Sequence, residues 1–139
     1  MNWIILTAIV AGFGMYNFLV KLASGKFSSI VILMIVSGTA LVFSAITSLM
    51  LKLSGQDLSF SKTSIHLPVL AGVAYGLALF LYSGLLTKGL SVSVGSPITN
   101  SGTMLVATML GVIFLKEPVT GIKILGLILT ISGIFFLSK

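Results

Sequence analysis

The sequence predicts an all-α integral membrane protein with five transmembrane helices, and three observations lead to that prediction. Of the 139 residues, 57% are hydrophobic and 7% are charged, whereas a soluble domain usually carries about 25% charged residues. The hydrophobic residues form long runs, and about 20 such residues suffice to cross the hydrocarbon core of a bilayer. Five of these runs account for most of the chain, and short polar segments separate them.

The first apolar run predicts a helix over about residues 3–20. Its small and polar residues recur near one face of that helix: Thr7, Ala11, Gly14, Asn17 and Lys21. An amide that faced lipid would lack a hydrogen-bond partner, so we expect Asn17 to face the helix bundle. For Ala11 and Gly14, close helix packing is the alternative interpretation to a functional role.

The second apolar run predicts a helix over about residues 30–51. Its stripe of small residues consists of Ser37, Ala40, Ser44 and Thr47. The hydroxyls in this stripe can bond to carbonyls of their own helix, which favours a packing role over a binding role. A polar connection over residues 52–66 follows. It ends at His66, the only histidine, which we expect at the membrane surface because no second metal ligand lies near it in sequence.

The third apolar run predicts a helix over about residues 67–87. Gly72 and Gly76 have the four-residue spacing that permits close helix approach. Tyr75 and Tyr82 are seven residues apart and therefore share a face. Tyr75 lies nearer the middle of the span and is expected in a cavity, where its hydroxyl can find a partner. Tyr82 either lines the same cavity or anchors the helix at the membrane interface.

The fourth apolar run, over about residues 93–115, carries the main predicted site. Pro97 removes one hydrogen bond near its start, and kinked or broken helices are a recurrent feature of transporter cavities. Asn100 and Thr103 fall near the middle of the span, with Ser96 one turn before Asn100 on the same face. The predicted substrate-binding residues are Asn100, Ser96 and Thr103, with Asn17, Tyr75 and Tyr82 as secondary candidates.

A fifth helix is predicted over about residues 119–137, after a turn that contains Glu117 and Pro118. The residue before a proline disfavours the helical region, which ends the fourth helix. Glu117 is expected at the water interface with a mostly structural role. We find no acid–base pair, phosphate-binding loop or cysteine, so the sequence predicts neither an enzyme nor a bound cofactor or metal.

Residues 111–137, GVIFLKEPVTGIKILGLILTISGIFFL, carry the most specific pattern. This segment resembles the EamA-type unit of the drug/metabolite transporter superfamily. In that family a glycine-rich fourth helix ends in an acidic residue, a short turn with threonine follows, and the fifth helix carries spaced glycines. The matching positions are Gly111, Glu117, Thr120, Gly126 and Gly133, and the first helix fits loosely through Gly14, Asn17 and Lys21.

The resemblance implies one half of an inverted-repeat transporter fold, forming a single five-helix domain over residues 1–139, and transport of small solutes. Relatives usually fuse two such units in inverted orientation, whereas this chain has one, so the resemblance implies a dimer. The sister small multidrug resistance family has four helices and an acidic residue inside the first. The first helix here has Gly14 and Asn17 on its polar face and no acidic residue, which argues against proton-coupled export of cationic drugs.

The favoured function is a secondary, exporter-like transporter of small polar metabolites in the plasma or inner membrane. A subunit or partner of a lipid-linked sugar flippase and a non-transporting membrane scaffold remain alternatives. The net charge of +6 comes from lysines at the edges of apolar runs. Such lysines reach lipid phosphates, and they form no basic cluster of the kind that nucleic-acid binding needs.

The lysines are balanced between the two sides of the membrane. Five spans place the termini on opposite sides, with four lysines on one side (Lys52, Lys62, Lys116 and Lys123) and four on the other (Lys21, Lys26, Lys88 and Lys139). Orientation depends on the asymmetry of Lys and Arg near the helix ends. The balance therefore predicts insertion in both orientations and an antiparallel homodimer, and the inverted repeats of fused relatives imply the same arrangement.

Overall fold

The computed structural model describes residues 2–56 and 62–137, and these ranges contain five α-helices and no strand. The helices are α1 (Trp3–Ser24), α2 (Ser29–Leu53), α3 (His66–Thr87), α4 (Val92–Leu115) and α5 (Gly121–Leu137), with a short 3-10 turn, Lys62–Ser64, before α3. The predicted all-α class is confirmed. Asp57 and Lys139 lie outside the described residues.

Helices α1 to α4 are each long and apolar enough to cross a membrane. Helix α5 has 17 residues and is also apolar. Spanning helices usually contain about 17–25 residues, so α5 lies at the short end of that range. Length and composition therefore agree with a multi-pass membrane protein.

Two helix ends differ from the sequence-based expectation because side chains there have partners. Helix α1 continues to Ser24 rather than ending near residue 20, and the Ser24 hydroxyl donates to the Lys21 carbonyl at 2.8 Å. Helix α5 begins at Gly121 rather than near residue 119. There the Thr120 hydroxyl accepts from the backbone N–H of Lys123 at 3.4 Å, which is the geometry of a helix N-cap.

The chain divides into two compact units, Met1–Gly89 and Leu90–Lys139. The first unit contains α1, α2 and α3, and α3 packs against both of the other helices. The second unit contains α4 and α5, which pack against each other.

Packing in the first unit is concentrated at one end. Lys21 contacts Leu86 and Ser29 approaches Gly84, so α1 ends, α2 begins and α3 ends at the same end, which we call the packed end. The buried residues of the first unit all lie toward it: Asn17, Val20, Ser24, Ile32, Leu79, Ser83 and Leu86. At the opposite end, apolar side chains such as Trp3 and Leu53 are exposed.

A lysine of α1 caps the C-terminal end of α3. The Lys21 Nζ atom donates to the carbonyl oxygen of Leu86 at 3.0 Å. The same carbonyl also accepts from the backbone N–H of Gly89 at 3.3 Å, and a cation at the C-terminal end of a helix interacts favourably with the helix dipole. This contact therefore joins α1 to α3 through a charged hydrogen bond.

The second unit has a sharp turn after α4. The helix continues through Pro97 and ends at Leu115, and the next residue, Lys116, has a φ of 54° in the left-handed region. The backbone N–H of Glu117 then donates to the carbonyl of Gly111 at 3.2 Å. A Cβ atom added to Gly111 would lie 3.2 Å from the carboxyl carbon of Glu117. The glutamate side chain therefore covers the last turn of α4, which supports its structural interpretation.

Candidate functional site

An open groove runs along the first unit between α1, α2 and α3. Its volume is about 750 Å³, and it is lined by Ile9, Gly12, Phe13, Tyr16, Phe43 and Tyr75. Most of these residues lie near the middle of their helices, and four of them are aromatic. We refer to this feature as the aromatic groove.

Two tyrosine hydroxyls meet in the aromatic groove. The Tyr75 hydroxyl donates to the Tyr16 hydroxyl at 3.4 Å, and Tyr82 follows Tyr75 by about two helical turns on α3. The Tyr82 hydroxyl is buried and has no hydrogen-bond partner among residues 2–56 and 62–137. Leaving a buried polar group unpaired costs about 1–3 kcal/mol, so this hydroxyl is available to a ligand or water. Because the Tyr82 hydroxyl is buried in protein, it does not fit the alternative role of Tyr82 as an interfacial anchor.

Asn17 is buried, with 6% of its surface exposed, which confirms that it faces the bundle. Along α1, Asn17 lies between Tyr16, which contacts Tyr75, and Lys21, which contacts Leu86. Asn17 therefore lies at the depth of the α3 segment between those two partners, and this segment contains Tyr82. Within the described part of the chain its amide has no hydrogen-bond partner. An amide offers two donors and one acceptor oxygen, and here all of them are unused.

In the second unit, two predicted residues contact each other. The Asn100 amide nitrogen donates to the Ser96 hydroxyl at 3.2 Å, which confirms that they share a face. Asn100 and Thr103 are exposed, and the Thr103 hydroxyl donates to the Thr99 carbonyl at 2.8 Å. An amide on the outside of an apolar span is unfavourable in lipid, so this face needs a protein partner or a water-filled cavity.

The predicted residues therefore form two sets, one in each unit. Asn17, Tyr75 and Tyr82 lie in the first unit, and Ser96, Asn100 and Thr103 lie in the second. Sequence reasoning missed Tyr16, although a tyrosine in the middle of an apolar run was a usable signal. Adjacent helical residues point about 100° apart, so a search for one stripe through Asn17 passed over its neighbour.

The hydroxyls on α2 take no part in either set. The Ser44 hydroxyl donates to the Leu41 carbonyl at 2.8 Å, and the Thr47 hydroxyl donates to the Phe43 carbonyl at 2.9 Å. The predicted bonding of these side chains to their own helix is confirmed. Among the residues that the structure describes, no group of three potential metal ligands occurs.

Comparisons with known proteins identify the family. A search of curated proteins and a search of solved structures each returned no match. The model of the EamA-like transporter family matches residues 2–139, so the match includes the segment around Glu117 that carries the resemblance and the α1 residues that fit more loosely. Members of this family are membrane transporters rather than enzymes. The chain, a multi-pass membrane protein with half of an EamA-type fold, belongs to the EamA-like transporter family.

Proposed function

We propose that the chain is a secondary, exporter-like transporter of small polar metabolites in the plasma or inner membrane. Family membership makes it a membrane transporter of the drug/metabolite transporter superfamily. The observation that carries the substrate class is the Tyr82 hydroxyl, which is buried and has no hydrogen-bond partner among the described residues; the amide of Asn17, a residue with 6% of its surface exposed, lies next to Tyr16 on α1. Buried polar groups are normally hydrogen-bonded, so a polar solute is a suitable partner for this hydroxyl and for the nearby amide.

The charge of the site narrows the solute class. Helices α1, α2 and α3 carry no acidic residue, and the one acidic residue among positions 1–89, Asp57, follows α2 in sequence. Recognition at Asn17, Tyr16 and Tyr82 therefore relies on neutral hydrogen bonds. A cation desolvated there would meet no carboxylate, and burying an unpaired charge is costly. The geometry favours solutes without net positive charge.

The working form is proposed to be an antiparallel homodimer. Asn100 and Thr103 are exposed on an apolar span, and a second copy would cover them. In inverted-repeat transporters the substrate site lies near the midplane at the repeat interface, which is the depth of Asn100. The balanced lysines support insertion in both orientations. In such a dimer the Asn100 faces of the two copies line the substrate path.

Transport is tested with purified protein in liposomes. A thermal-stability screen of neutral amino acids, nucleosides and sugars selects solutes, because a ligand that binds only the folded state raises apparent stability. Uptake of the selected solute is then measured with radiolabel. Asn17→Ala should abolish uptake, whereas the matched control Ser44→Ala should not, since that hydroxyl bonds its own helix. Equal uptake by Asn17→Ala and the unaltered protein would contradict the proposed site.

One observation favours a second candidate, a subunit of a lipid-linked sugar flippase. The aromatic groove is open along the first unit, and its lining is almost entirely apolar, which suits an acyl or prenyl chain. Translocation of a lipid-linked sugar between the leaflets of the same liposomes, without uptake of free solutes, would support the flippase. Absence of both activities would favour a non-transporting scaffold.

A further inference from the structure

A second groove lies at the packed end of the first unit, along the last turns of α3 and the start of α2. Its volume is about 510 Å³. Phe80, Leu81, Gly84 and Leu85 form its floor, and Ser29 and Lys88 lie at its rim. It shares no lining residue with the aromatic groove. We propose that this groove binds one anionic phospholipid, with the phosphate at Lys88 and Ser29 and an acyl chain over the apolar floor.

The groove is charged at its rim and apolar along its floor, as the headgroup and the acyl chain of a phospholipid require. Lys88 follows the last residue of α3 and is exposed. Leu85, Leu81 and Phe80 precede it by three to eight residues, so they lie about 4–12 Å farther along the helix axis, at about 1.5 Å per residue. Their side chains are 51%, 56% and 40% exposed, respectively. The groove thus has a cation at the headgroup level and apolar surface at the acyl-chain level.

The charge at the rim has no partner within the described part of the chain. The Lys88 ammonium makes no ion pair or hydrogen bond there, and helices α1, α2 and α3 carry no carboxylate side chain, since Asp57 follows α2 in sequence. Lys26 lies in the α1–α2 loop at the same end and adds a second positive charge. Lys21 differs, because its ammonium is engaged with the Leu86 carbonyl. Anionic lipid headgroups are attracted to such lysines at the membrane surface.

The width of the groove depends on a glycine contact. A Cβ atom added to Gly84 would lie 3.5 Å from the Ser29 hydroxyl oxygen, so α2 and α3 approach closely here. That approach keeps the Ser29 hydroxyl at the rim that Lys88 also lines, where it can donate to a phosphate oxygen. A soluble phosphate would leave Phe80 and Leu81 uncovered, whereas a lipid covers them with its chain.

The test measures thermal stability of the purified protein in a non-ionic detergent. Dioleoyl phosphatidylglycerol and dioleoyl phosphatidylcholine have the same acyl chains and differ in headgroup charge. We expect phosphatidylglycerol to raise the melting temperature at several-fold lower concentration than phosphatidylcholine. Lys88→Gln should remove this preference and Lys88→Arg should keep it. The control Lys52→Gln removes the same charge from the opposite end of the first unit and should also keep it.

Several results would overturn the proposal. Equal shifts with the two lipids would show that headgroup charge is not recognised. Loss of the preference in Lys52→Gln as well as Lys88→Gln would indicate an effect of total charge only. If glycerol 3-phosphate shifted the melting temperature as much as phosphatidylglycerol does, the site would bind a soluble anion. If Lys88→Gln changed the oligomeric state, this face would contact a second copy of the chain. None of these readouts depends on transport.

Discussion

The Nζ atom of Lys21 lies 3.0 Å from the carbonyl oxygen of Leu86, so a charge on α1 caps the end of α3. Lys21→Met removes this hydrogen bond and leaves the carbonyl without that donor. A hydrogen bond to a charged group contributes about 1.5–3 kcal/mol, and we expect a loss of that order in the free energy of unfolding. Denaturant unfolding in micelles measures it. Lys26→Met is the control, and equal stability of the two variants would contradict the role of the contact.

Tyr16 is predicted to contribute to solute binding although no stripe in the sequence indicated it. Tyr16→Phe removes the hydroxyl that accepts from Tyr75 and keeps the ring in the aromatic groove. One hydrogen bond contributes about 0.5–1.5 kcal/mol, which corresponds to about a 2- to 10-fold loss of uptake. The melting temperature serves as the control for folding. Unchanged uptake by Tyr16→Phe would show that the hydroxyl does not contact the solute.

Asn100 is predicted to line the substrate path in the dimer. Asn100→Ala should lower uptake while insertion and dimer formation, measured by cross-linking in the membrane, remain normal. Ser96→Ala removes only the acceptor of the Asn100 amide and should have a smaller effect, because Asn100 then keeps both its oxygen and its nitrogen. Normal uptake by Asn100→Ala would remove this residue from the site.

Lys116 holds a left-handed conformation, with φ 54°, that a residue with a Cβ atom adopts at a cost of about 1–2 kcal/mol. Lys116→Gly relieves that strain, whereas Lys116→Ala keeps it, and both variants remove the same charge. We expect the glycine variant to melt at the higher temperature, and its free energy of unfolding to be larger by about 1 kcal/mol. If the two variants melt together, the left-handed turn after α4 is not a determinant of stability.

Dual insertion predicts that about half of the chains expose the α2–α3 connection outside the cell, as the balanced lysines imply. Gln56 is exposed and suits a cysteine substitution, whereas Gly55 has φ +76°, which disfavours any other residue. Gln56→Cys is labelled in intact cells with a membrane-impermeant thiol reagent; the native chain contains no cysteine. Two lysines added to either side should shift the labelled fraction. Labelling of all chains or of none would rule out dual insertion.

The helical class and several faces could be predicted from the sequence because membrane helices must bury their few polar groups. Burial of Asn17 and the Ser96–Asn100 contact follow from that requirement and from helical spacing. The Tyr16–Tyr75 contact could not be predicted, because periodicity shows which residues share a face but not which faces meet. The extension of α1 to Ser24 was missed for a similar reason, since Lys21 finds its partner 65 residues away.

The concentration of buried residues at one end of the first unit has a mechanical consequence. A tilt of α1 about its buried end would displace the opposite end of the helix most. From Asn17 to Trp3 the helix is about 21 Å long, at about 1.5 Å per residue. A tilt of about 10° would therefore move Trp3 by about 4 Å, by the same geometry, and would barely change the Lys21–Leu86 distance. Tyr16, which adjoins Asn17, would move least among the α1 residues that line the aromatic groove.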